Sequence, residues 1–187
     1  MTKGMVGKLA WILAVVTALT MGAPAMAGNA HDFSFEKIDG GALPLAQYKG
    51  KAVLVVNTAS FCGFTPQYEG LENIYKEFKG KGLVVLGVPA NNFGGQEPGT
   101  NKEIKQFCES KYDVDFPLAA KVSVQGSDAH PFYKWARDVL GADKAPKWNF
   151  HKYLIDAKGD LVASFPTKVV PDSPEIKAAI VRAISVK

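Results

Sequence analysis

Two continuous apolar runs, separated by a helical pattern, constrain the fold of this chain more than any other feature. Residues 52–58 and 83–88 are apolar almost without alternation, which is typical of strands buried on both faces. Between them, apolar residues recur at helical spacing over positions 68–78, after start signals at Thr65 and Pro66. A strand, a helix and a second strand in this order predict an α/β architecture.

The rest of the chain extends this pattern towards a sheet that is covered by helices. Thr100 and Glu103 have the spacing of a capping box, which opens a helix that continues to about Tyr112. The order of elements predicts an α/β fold with a mixed central sheet flanked by helices. The other predicted elements are hairpins at 33–41 and 153–165 and helices that begin near Pro131 and Pro174.

The first 27 residues have the composition of a secretory signal peptide. Lys3 and Lys8 form a basic region, residues 9–21 an apolar core, and Ala25-Met-Ala27 a small-residue cleavage site. The apolar core is short for a membrane span, which needs roughly 20 residues, and a retained N-terminal anchor is the less favoured alternative. We expect cleavage after Ala27, secretion across the inner membrane to the periplasm, and a mature domain of residues 28–187 without stable membrane insertion.

Charge and ligand spacing argue against two classes of partner. Loss of Lys3 and Lys8 with the signal peptide would lower the formal net charge from +4 to +2, which is too small a charge to indicate nucleic-acid binding. The histidines and cysteines show no metal-ligand spacing, so we expect no metal and no other cofactor. Two cysteines in an exported chain can form a structural disulfide or a redox couple. The histidines and cysteines of the chain are His31, His130, His151, Cys62 and Cys108.

Cys62 lies directly after the first apolar run and directly before the helical pattern. At such a turn, unpaired helix amides and the positive end of the helix dipole favour an anion, and the thiolate is the nucleophilic form of cysteine. Thr65 stands where a Cys-x-x-Cys motif would have its second cysteine. The position favours a single reactive sulfur, although an inert buried residue is the commoner fate of a lone cysteine.

Three separated segments resemble the glutathione peroxidase family. They are residues 57–67 (Asn-Thr-Ala-Ser-Phe-Cys-Gly-Phe-Thr-Pro-Gln), 92–99 (Asn-Phe-Gly-Gly-Gln-Glu-Pro-Gly) and 147–150 (Lys-Trp-Asn-Phe). They occur in the family's order, and the resemblance covers nearly everything from about residue 33 to the C-terminus. Three motifs in one order are far more specific than any one of them. The resemblance implies a thioredoxin-like fold and a cysteine-dependent peroxidase.

The resemblance also assigns roles to four residues. Cys62 matches the family's nucleophile, and Gln96, Trp148 and Asn149 match the donors of a Cys-Gln-Trp-Asn tetrad. Neutral donors can stabilise a thiolate, and the charge on a leaving oxygen, without a permanent countercharge. Chemistry alone would make Gln96 a solvated loop residue, Trp148 a packing residue and Asn149 a turn residue.

Cys108 leaves two interpretations open. It shares an apolar stripe with Ile104 and Phe107 of its predicted helix, which suits a small core residue. Many family members that use thioredoxin carry a resolving cysteine in the matching Phe-Cys segment, so the resemblance makes Cys108 a resolving-cysteine candidate.

This sequence departs from the family pattern at several positions. Ala90 and Asn92 replace a cysteine and a glutamine that many relatives carry, and Phe61 replaces a common lysine before the nucleophile. No long insertion of the kind used for assembly is present between residues 122 and 147, so we expect a monomer with an open site that admits bulkier hydroperoxides. Three lysines lie near Trp148 in the sequence: Lys144, Lys147 and Lys152. We expect them to form a solvated face, or to attract an acidic redoxin or an anionic lipid.

We therefore predict a thiol peroxidase that reduces hydrogen peroxide and organic hydroperoxides through a Cys62 sulfenic acid. A thioredoxin-like protein or glutathione would recycle it. A thiol-based peroxide sensor, which passes its oxidation to a partner protein, uses the same sulfenic acid and stays open as an alternative. Thr65 argues against a disulfide reductase, and a purely structural Cys62–Cys108 disulfide would leave the Gln96 and Trp148-Asn149 segments unexplained.

Overall fold

The computed structural model describes Met1 and residues 28–186, so the predicted signal peptide lies outside the described residues. The described chain opens with a short antiparallel hairpin of β1 (Ser34–Glu36) and β2 (Ala42–Pro44), in which Phe35 lies opposite Leu43. This hairpin was expected from the sequence, and its two buried side chains face the rest of the domain.

A four-stranded mixed sheet forms the centre of the domain. Its strands are β3 (Ala52–Thr58), β4 (Leu83–Pro89), β5 (Lys152–Ile155) and β6 (Leu161–Phe165), in the spatial order β4-β3-β5-β6. β3 runs parallel to β4 and antiparallel to β5, and β5 runs antiparallel to β6. The seven residues of β3 and the seven of β4 are all buried, as their continuous apolar sequence predicts.

Four α-helices surround this sheet: α1 (Gln67–Phe78), α2 (Asn101–Tyr112), α3 (Pro131–Leu140) and α4 (Pro174–Ser185). The capping box of α2 is present, since Thr100 Oγ1 accepts the N–H of Glu103 at 3.3 Å and Glu103 Oε2 accepts the N–H of Thr100 at 2.7 Å. Ser173 caps α4 with one bond, since its Oγ accepts the N–H of Ile176 at 3.3 Å. Among the helices of residues 28–186, none is both long enough and apolar enough to span a bilayer.

The two faces of the sheet bury two different sets of side chains. Alternate residues of β3 point to opposite faces, as the pleat requires. Leu54 and Val56 join the cluster that contains α1, α2 and α4, whereas Val53 and Val55 join the cluster that contains α3 and the β1–β2 hairpin. The α/β sheet flanked by helices that the sequence predicts is therefore confirmed.

The parallel pairing of β3 and β4 determines where the chemistry collects. Thr58 at the end of β3 lies opposite Pro89 at the end of β4, so the loops that follow the two strands leave the same edge of the sheet. One loop carries Cys62 and the other carries Gln96. This edge, outside the carboxyl ends of parallel strands, is where ligands bind in open α/β sheets.

Candidate active site

Cys62 lies in the turn that joins β3 to α1, and the side chain of Thr65 holds this turn. Thr65 Oγ1 accepts the N–H of Cys62 at 3.0 Å and donates to the carbonyl oxygen of Ala59 at 2.9 Å. The N–H of Phe64 donates to Sγ of Cys62 at 3.4 Å. The thiol is free and its residue is 8% exposed. A backbone amide thus gives the sulfur one hydrogen bond of the kind that stabilises an anion.

The hydrogen bonds of Thr65 within the cysteine turn explain why α1 begins later than the sequence predicts. The sequence pattern placed the N-cap at Thr65 and the first helical residue at Pro66, but α1 begins at Gln67, and Pro66 precedes it without a side-chain cap. Because the Thr65 hydroxyl is engaged inside the cysteine turn, it is not available to the helix.

The loop after β4 brings Gln96 next to the cysteine turn. Gly94 and Gly95 both have positive φ, at 67° and 64°, a conformation that glycine adopts without steric cost. The resulting bend lets the carbonyl oxygen of Gln96 accept the N–H of Phe61 at 3.1 Å. Since Phe61 immediately precedes Cys62, this bond ties the two loops together beside the thiol. Gln96 itself is half-buried.

Asn149 completes the contact from the other side of the sheet edge. Its Nδ2 donates to Oε1 of Gln96 at 2.9 Å, and its carbonyl oxygen accepts the hydroxyl of Thr167 at 2.7 Å. Asn149 has no exposed surface. The amide of Gln96 is therefore oriented with its oxygen towards Asn149 and its Nε2 as the end that can donate.

Trp148 is held by its backbone and leaves its indole partly exposed. Its carbonyl oxygen accepts Nδ2 of Asn57 at 3.1 Å, and its ring lies 5.9 Å from that of Phe93 in the Gln96 loop. Phe150 has a positive φ of 63°, and its N–H donates to the carbonyl oxygen of Asn57 at 2.6 Å. Asn57, near the end of β3, thus fixes this segment at a strained position, as is common at functional sites.

Hydrogen bonds join Asn149, Gln96 and the turn of Cys62 into one connected arrangement. Gln96 bonds Asn149 through its side chain and the Cys62 turn through its backbone, while Trp148 is the neighbour of Asn149. Within residues 28–186, the hydrogen bond to Sγ comes from Phe64, and neither Gln96 Nε2 nor the Trp148 indole N–H is committed to another protein group. Two neutral donors are therefore free in the segments that are linked to the cysteine turn.

Comparisons with known proteins identify the family of the chain. A sequence profile of the family described as glutathione peroxidase matches residues 30–137. The chain belongs to the glutathione peroxidase family. It is 46% identical over 149 residues to the glutathione peroxidase of Lactococcus lactis, which covers 79% of this chain and 95% of the relative. It is also 46% identical over 165 residues to the hydroperoxy fatty acid reductase gpx1 of Synechocystis, covering 83% and 96% of the two chains.

Structural neighbours confirm the predicted thioredoxin-like fold of this glutathione peroxidase family member. A thiol:disulfide interchange protein of the thioredoxin family from Chlorobium tepidum superposes with a TM-score of 0.62 at 20% identity, and the match covers 87% of this chain and 100% of that one. Membership of the family makes the protein a thiol peroxidase, which reduces a peroxide substrate with electrons from a thiol reductant such as thioredoxin or glutathione. The predicted enzyme class is confirmed.

A buried polar chain, which sequence reasoning missed, supports the segment that carries Trp148 and Asn149. Thr167 bonds Asn149, and its carbonyl oxygen accepts Nε2 of Gln67, the first residue of α1, at 2.7 Å. Oε1 of Gln67 accepts Nζ of Lys152 at 2.6 Å. The chain thus runs from the start of the helix that follows Cys62 to the partner of Gln96.

Lys152 corrects the expectation of a solvated lysine face. Lys144 and Lys147 are exposed, but Lys152 has no exposed surface and also donates to the carbonyl oxygen of Val169 at 2.6 Å. Burial lowers the pKa of Lys152 to about 7. Lys152 is the first residue of β5, and no periodicity in the sequence indicated its burial.

Cys108 lies on the buried face of α2, in the same core cluster as Cys62, and both thiols are free. Cys108 has no exposed surface, and burial raises the pKa of its thiol to about 11. The negative charge of Glu97 raises this pKa further, whereas the Tyr68 hydroxyl opposes the rise. This burial is compatible with a core residue, and it means that a resolving cysteine would have to leave the core to react.

A cavity of about 420 Å³ separates the cysteine turn from α2. Ser60 and Phe61 line it from the turn, Glu97 from the Gln96 loop, and Ile104 and Phe107 from the helix. The ring of Phe61 is 68% exposed and lies 6.4 Å from that of Phe107. The contact between α2 and the turn is therefore incompletely packed.

Proposed function

We propose that Cys62 is the peroxide-reacting cysteine of this peroxidase. Its thiolate attacks one oxygen of the substrate O–O bond, forms a sulfenic acid, and releases water from hydrogen peroxide or an alcohol from an organic hydroperoxide. The observation that carries the proposal is the Asn149–Gln96 hydrogen bond, because it leaves Nε2 of Gln96 as a donor in a loop bonded to the turn of the thiol. The Trp148 indole, a donor only, is the second such group.

We further propose that Cys108 resolves the sulfenic acid. The Cys108 sulfur attacks the Cys62 sulfur, a disulfide forms and water leaves, after which a thioredoxin-like dithiol reduces the disulfide. Of the twelve residues of α2 only Ile104 and Cys108 are buried, whereas α1 buries six of its twelve. Segments with few buried apolar contacts open locally at low cost, which supports release of Cys108 from its helix.

The surroundings of the thiol support organic hydroperoxides as substrates beside hydrogen peroxide. Phe61 is 68% exposed and Trp148 39% exposed, so two aromatic side chains, from the cysteine turn and from the Asn149 segment, are open to an incoming molecule. Apolar chains bury favourably against such surfaces. The Synechocystis relative is named a hydroperoxy fatty acid reductase, which agrees with this proposal.

The proposed setting of the enzyme is the periplasm, as a monomer that is not stably inserted in the membrane. The basic, apolar and small-residue segments of the first 27 residues support export and cleavage after Ala27, which would leave residues 28–187 as the mature domain. N-terminal sequencing of the protein recovered from the periplasm tests the cleavage site, and its mass in solution tests the monomer. A membrane-bound protein with an intact N-terminus would contradict this assignment.

Steady-state peroxide consumption tests the proposed chemistry. Hydrogen peroxide and cumene hydroperoxide are each supplied with a thioredoxin system and, in parallel, with glutathione and its reductase. We expect turnover with the thioredoxin system, and none in Cys62→Ser, because serine is not a nucleophilic anion near neutral pH. Consumption that survives in Cys62→Ser would exclude Cys62 as the reacting group. Oxidation without turnover with either reductant would instead favour the peroxide-sensor alternative, which the enzymatic relatives do not favour.

A further inference from the structure

Several buried polar groups behind the cysteine turn have mainly one another as neighbours. Within the described residues, Thr58 Oγ1, Ser60 Oγ, Tyr68 Oη and both carboxylate oxygens of Glu97 are buried without a well-formed hydrogen bond. Ser60 is the hydrogen-bonding neighbour of Glu97, and Thr58 and Cys108 are those of Tyr68. Thr58, Tyr68 and Glu97 have no exposed surface, and Ser60 is 8% exposed. Incompletely bonded buried polar groups are costly and rare, so a cluster of them that includes the neighbours of the Cys108 thiol calls for a functional explanation.

Glu97 faces α2 across the cavity described above. It lines that cavity together with Ser60 on one side and Ile104 on the other. Cys108 is one helical turn after Ile104 on the same buried face of α2. Glu97 also immediately follows Gln96 in the chain, and its N–H donates to Oδ1 of Asn91 at 2.8 Å. The backbone of Glu97 is thus fixed, and its side chain lines a cavity whose opposite walls are the cysteine turn and the helix of Cys108. The charge of Glu97 acts on the Cys108 thiol.

We propose that Glu97 accepts the thiol proton of Cys108 when this cysteine attacks the Cys62 sulfenic acid. The proposal rests on the resolving role of Cys108 proposed above. The proton and electron balance is closed: the carboxylate takes the proton from Cys108–SH, the sulfur pair forms the S–S bond, and the S–O bond of Cys62–SOH breaks. The departing hydroxide takes the proton from Glu97 and leaves as water, so that Glu97 ends as a carboxylate.

The charges that face Glu97 suit this exchange. Burial raises the pKa of Glu97 to about 7, and this rise is opposed by hydrogen bonds from Ser60 and by the positive charge of Lys121. Lys121 Nζ is itself engaged by the carbonyl oxygens of Glu97 at 3.1 Å and Gly99 at 2.6 Å. Glu103, on the cavity wall, is committed to its capping box. Glu97 is therefore the buried carboxyl group that can change protonation near neutral pH.

The Cys108 thiol needs such a base. Its pKa is raised to about 11, so a vanishing fraction is thiolate at pH 7. The Tyr68 hydroxyl lowers the pKa of this thiol, whereas the negative charges of Glu97 and of the exposed Glu109 raise it. Transfer of the proton to Glu97 moves one negative charge from the carboxylate to the sulfur and adds none to the buried cluster. This is less costly than ionisation of Cys108 beside a charged Glu97.

Rapid-quench kinetics of the single turnover test the proposal. Reduced protein is mixed with one equivalent of hydrogen peroxide, quenched with an alkylating reagent, and analysed by mass spectrometry for Cys62 sulfenic acid and for the Cys62–Cys108 disulfide. In Glu97→Gln we expect sulfenic acid to form at the wild-type rate and the disulfide to form about 10²–10³-fold more slowly, the usual contribution of a general base. Glu109→Gln, the same change at an exposed carboxyl group beside the same thiol, should leave both rates within about twofold.

The pH profile of the wild-type protein gives a second, independent readout. The rate of disulfide formation should rise with pH through about 7, as the carboxylate form of Glu97 accumulates, and this rise should be absent in Glu97→Gln. A wild-type profile that is flat from pH 5.5 to 8.5, or an unchanged rate in Glu97→Gln, would overturn the role of Glu97 while leaving Cys108 as the resolving cysteine. A wild-type protein that forms no Cys62–Cys108 disulfide would overturn both proposals, and the two failures are therefore distinguishable.

Discussion

Asn149 Nδ2 donates to Oε1 of Gln96 over 2.9 Å, and this single bond holds the Gln96 oxygen towards Asn149 and leaves Nε2 of Gln96 directed away from it. Asn149 is fully buried and its carbonyl oxygen is bonded to Thr167, so it has little freedom to turn away. In this structure Asn149 therefore orients the side-chain amide of Gln96.

Replacement of Gln96 by alanine should slow the first oxidation of Cys62. Loss of one preorganised donor commonly costs about 10²–10³ in rate, which is an upper guide here because a second donor remains. Stopped-flow oxidation with excess peroxide measures the step. Gln47→Ala, at an exposed glutamine remote from the site, is the matched control. Equal rates in Gln96→Ala and Gln47→Ala would show that Gln96 is not a donor to the reacting atoms.

Asn149→Ala should slow the same step less than Gln96→Ala, because it frees the Gln96 amide to rotate without removing it. The two effects should also be non-additive, since both residues act through one hydrogen bond. Oxidation rates of the two single variants and the double variant give the coupling directly. Fully additive losses would mean that Asn149 reaches the sulfur or the peroxide on its own.

Trp148→Phe tests the second donor while it preserves an aromatic ring against Phe93. We expect slower oxidation of Cys62, by up to about 10²–10³-fold, because only the indole N–H is lost. Trp135→Phe makes the same chemical change in α3, where the ring packs on Phe33 and Phe132 far from the thiol, and should leave the rate unchanged. If both tryptophan variants react like the wild type, Trp148 is a packing residue.

The sequence allowed the scaffold of the site to be predicted because its signals are local. Continuous apolar runs specify β3 and β4, and Thr100 with Glu103 specifies the start of α2. Parallel pairing of β3 with β4 then places the loops of Cys62 and Gln96 at one edge without further information. Trp148 and Asn149 were accessible only through the family resemblance, since nothing in their local pattern separates them from turn residues.

The residues that position the site were not predictable, because their partners lie far away in the chain. Lys152 is bonded to Gln67, which lies 85 positions earlier, and Thr167 to Asn149, 18 positions earlier. A lysine is ordinarily exposed, and a glutamate in a glycine-rich loop is ordinarily solvated. The burial of Lys152 and Glu97 follows from tertiary packing and appears in no periodicity of the sequence.

Lys152 should make the stability of the protein depend on pH in the neutral to mildly alkaline range. Its pKa is lowered from an ordinary value of 10.5 to about 7 in the folded protein, so between these values the unfolded chain binds the extra proton. The free energy of unfolding should therefore rise with pH from 7 to 9, with a slope approaching about 1.4 kcal/mol per unit. Urea unfolding at several pH values measures this slope.

Lys152→Met should abolish this slope, although the variant is less stable overall because Gln67 Oε1 and the Val169 carbonyl lose their donor. Lys168→Met, at an exposed lysine, should retain the slope. A slope of equal size in both variants would assign the pH dependence to another group.

Cys108 gives the most demanding prediction, because its buried position in α2 must change before it can reach Cys62. A disulfide needs Cα atoms within about 7 Å, and we expect α2 to open locally after oxidation of Cys62 so that the buried Cys108 thiol can pair with it. Peptide mapping of the protein after one equivalent of peroxide should yield a Cys62–Cys108 disulfide that a thioredoxin-like protein reduces. Hydrogen exchange should show the amides around Cys108 becoming unprotected in the oxidised protein.

Two substitutions at this position separate a resolving role from a packing role. Cys108→Ser and Cys108→Ala should each react once with peroxide at the wild-type rate, accumulate Cys62 sulfenic or sulfinic acid, and fail to turn over with thioredoxin. A packing role predicts a different outcome, since alanine fills most of the volume of a small buried residue and should keep full turnover. Sustained turnover in Cys108→Ala, with Cys108 recovered as a free thiol from the oxidised wild type, would make Cys108 a core residue and require an external thiol to resolve Cys62.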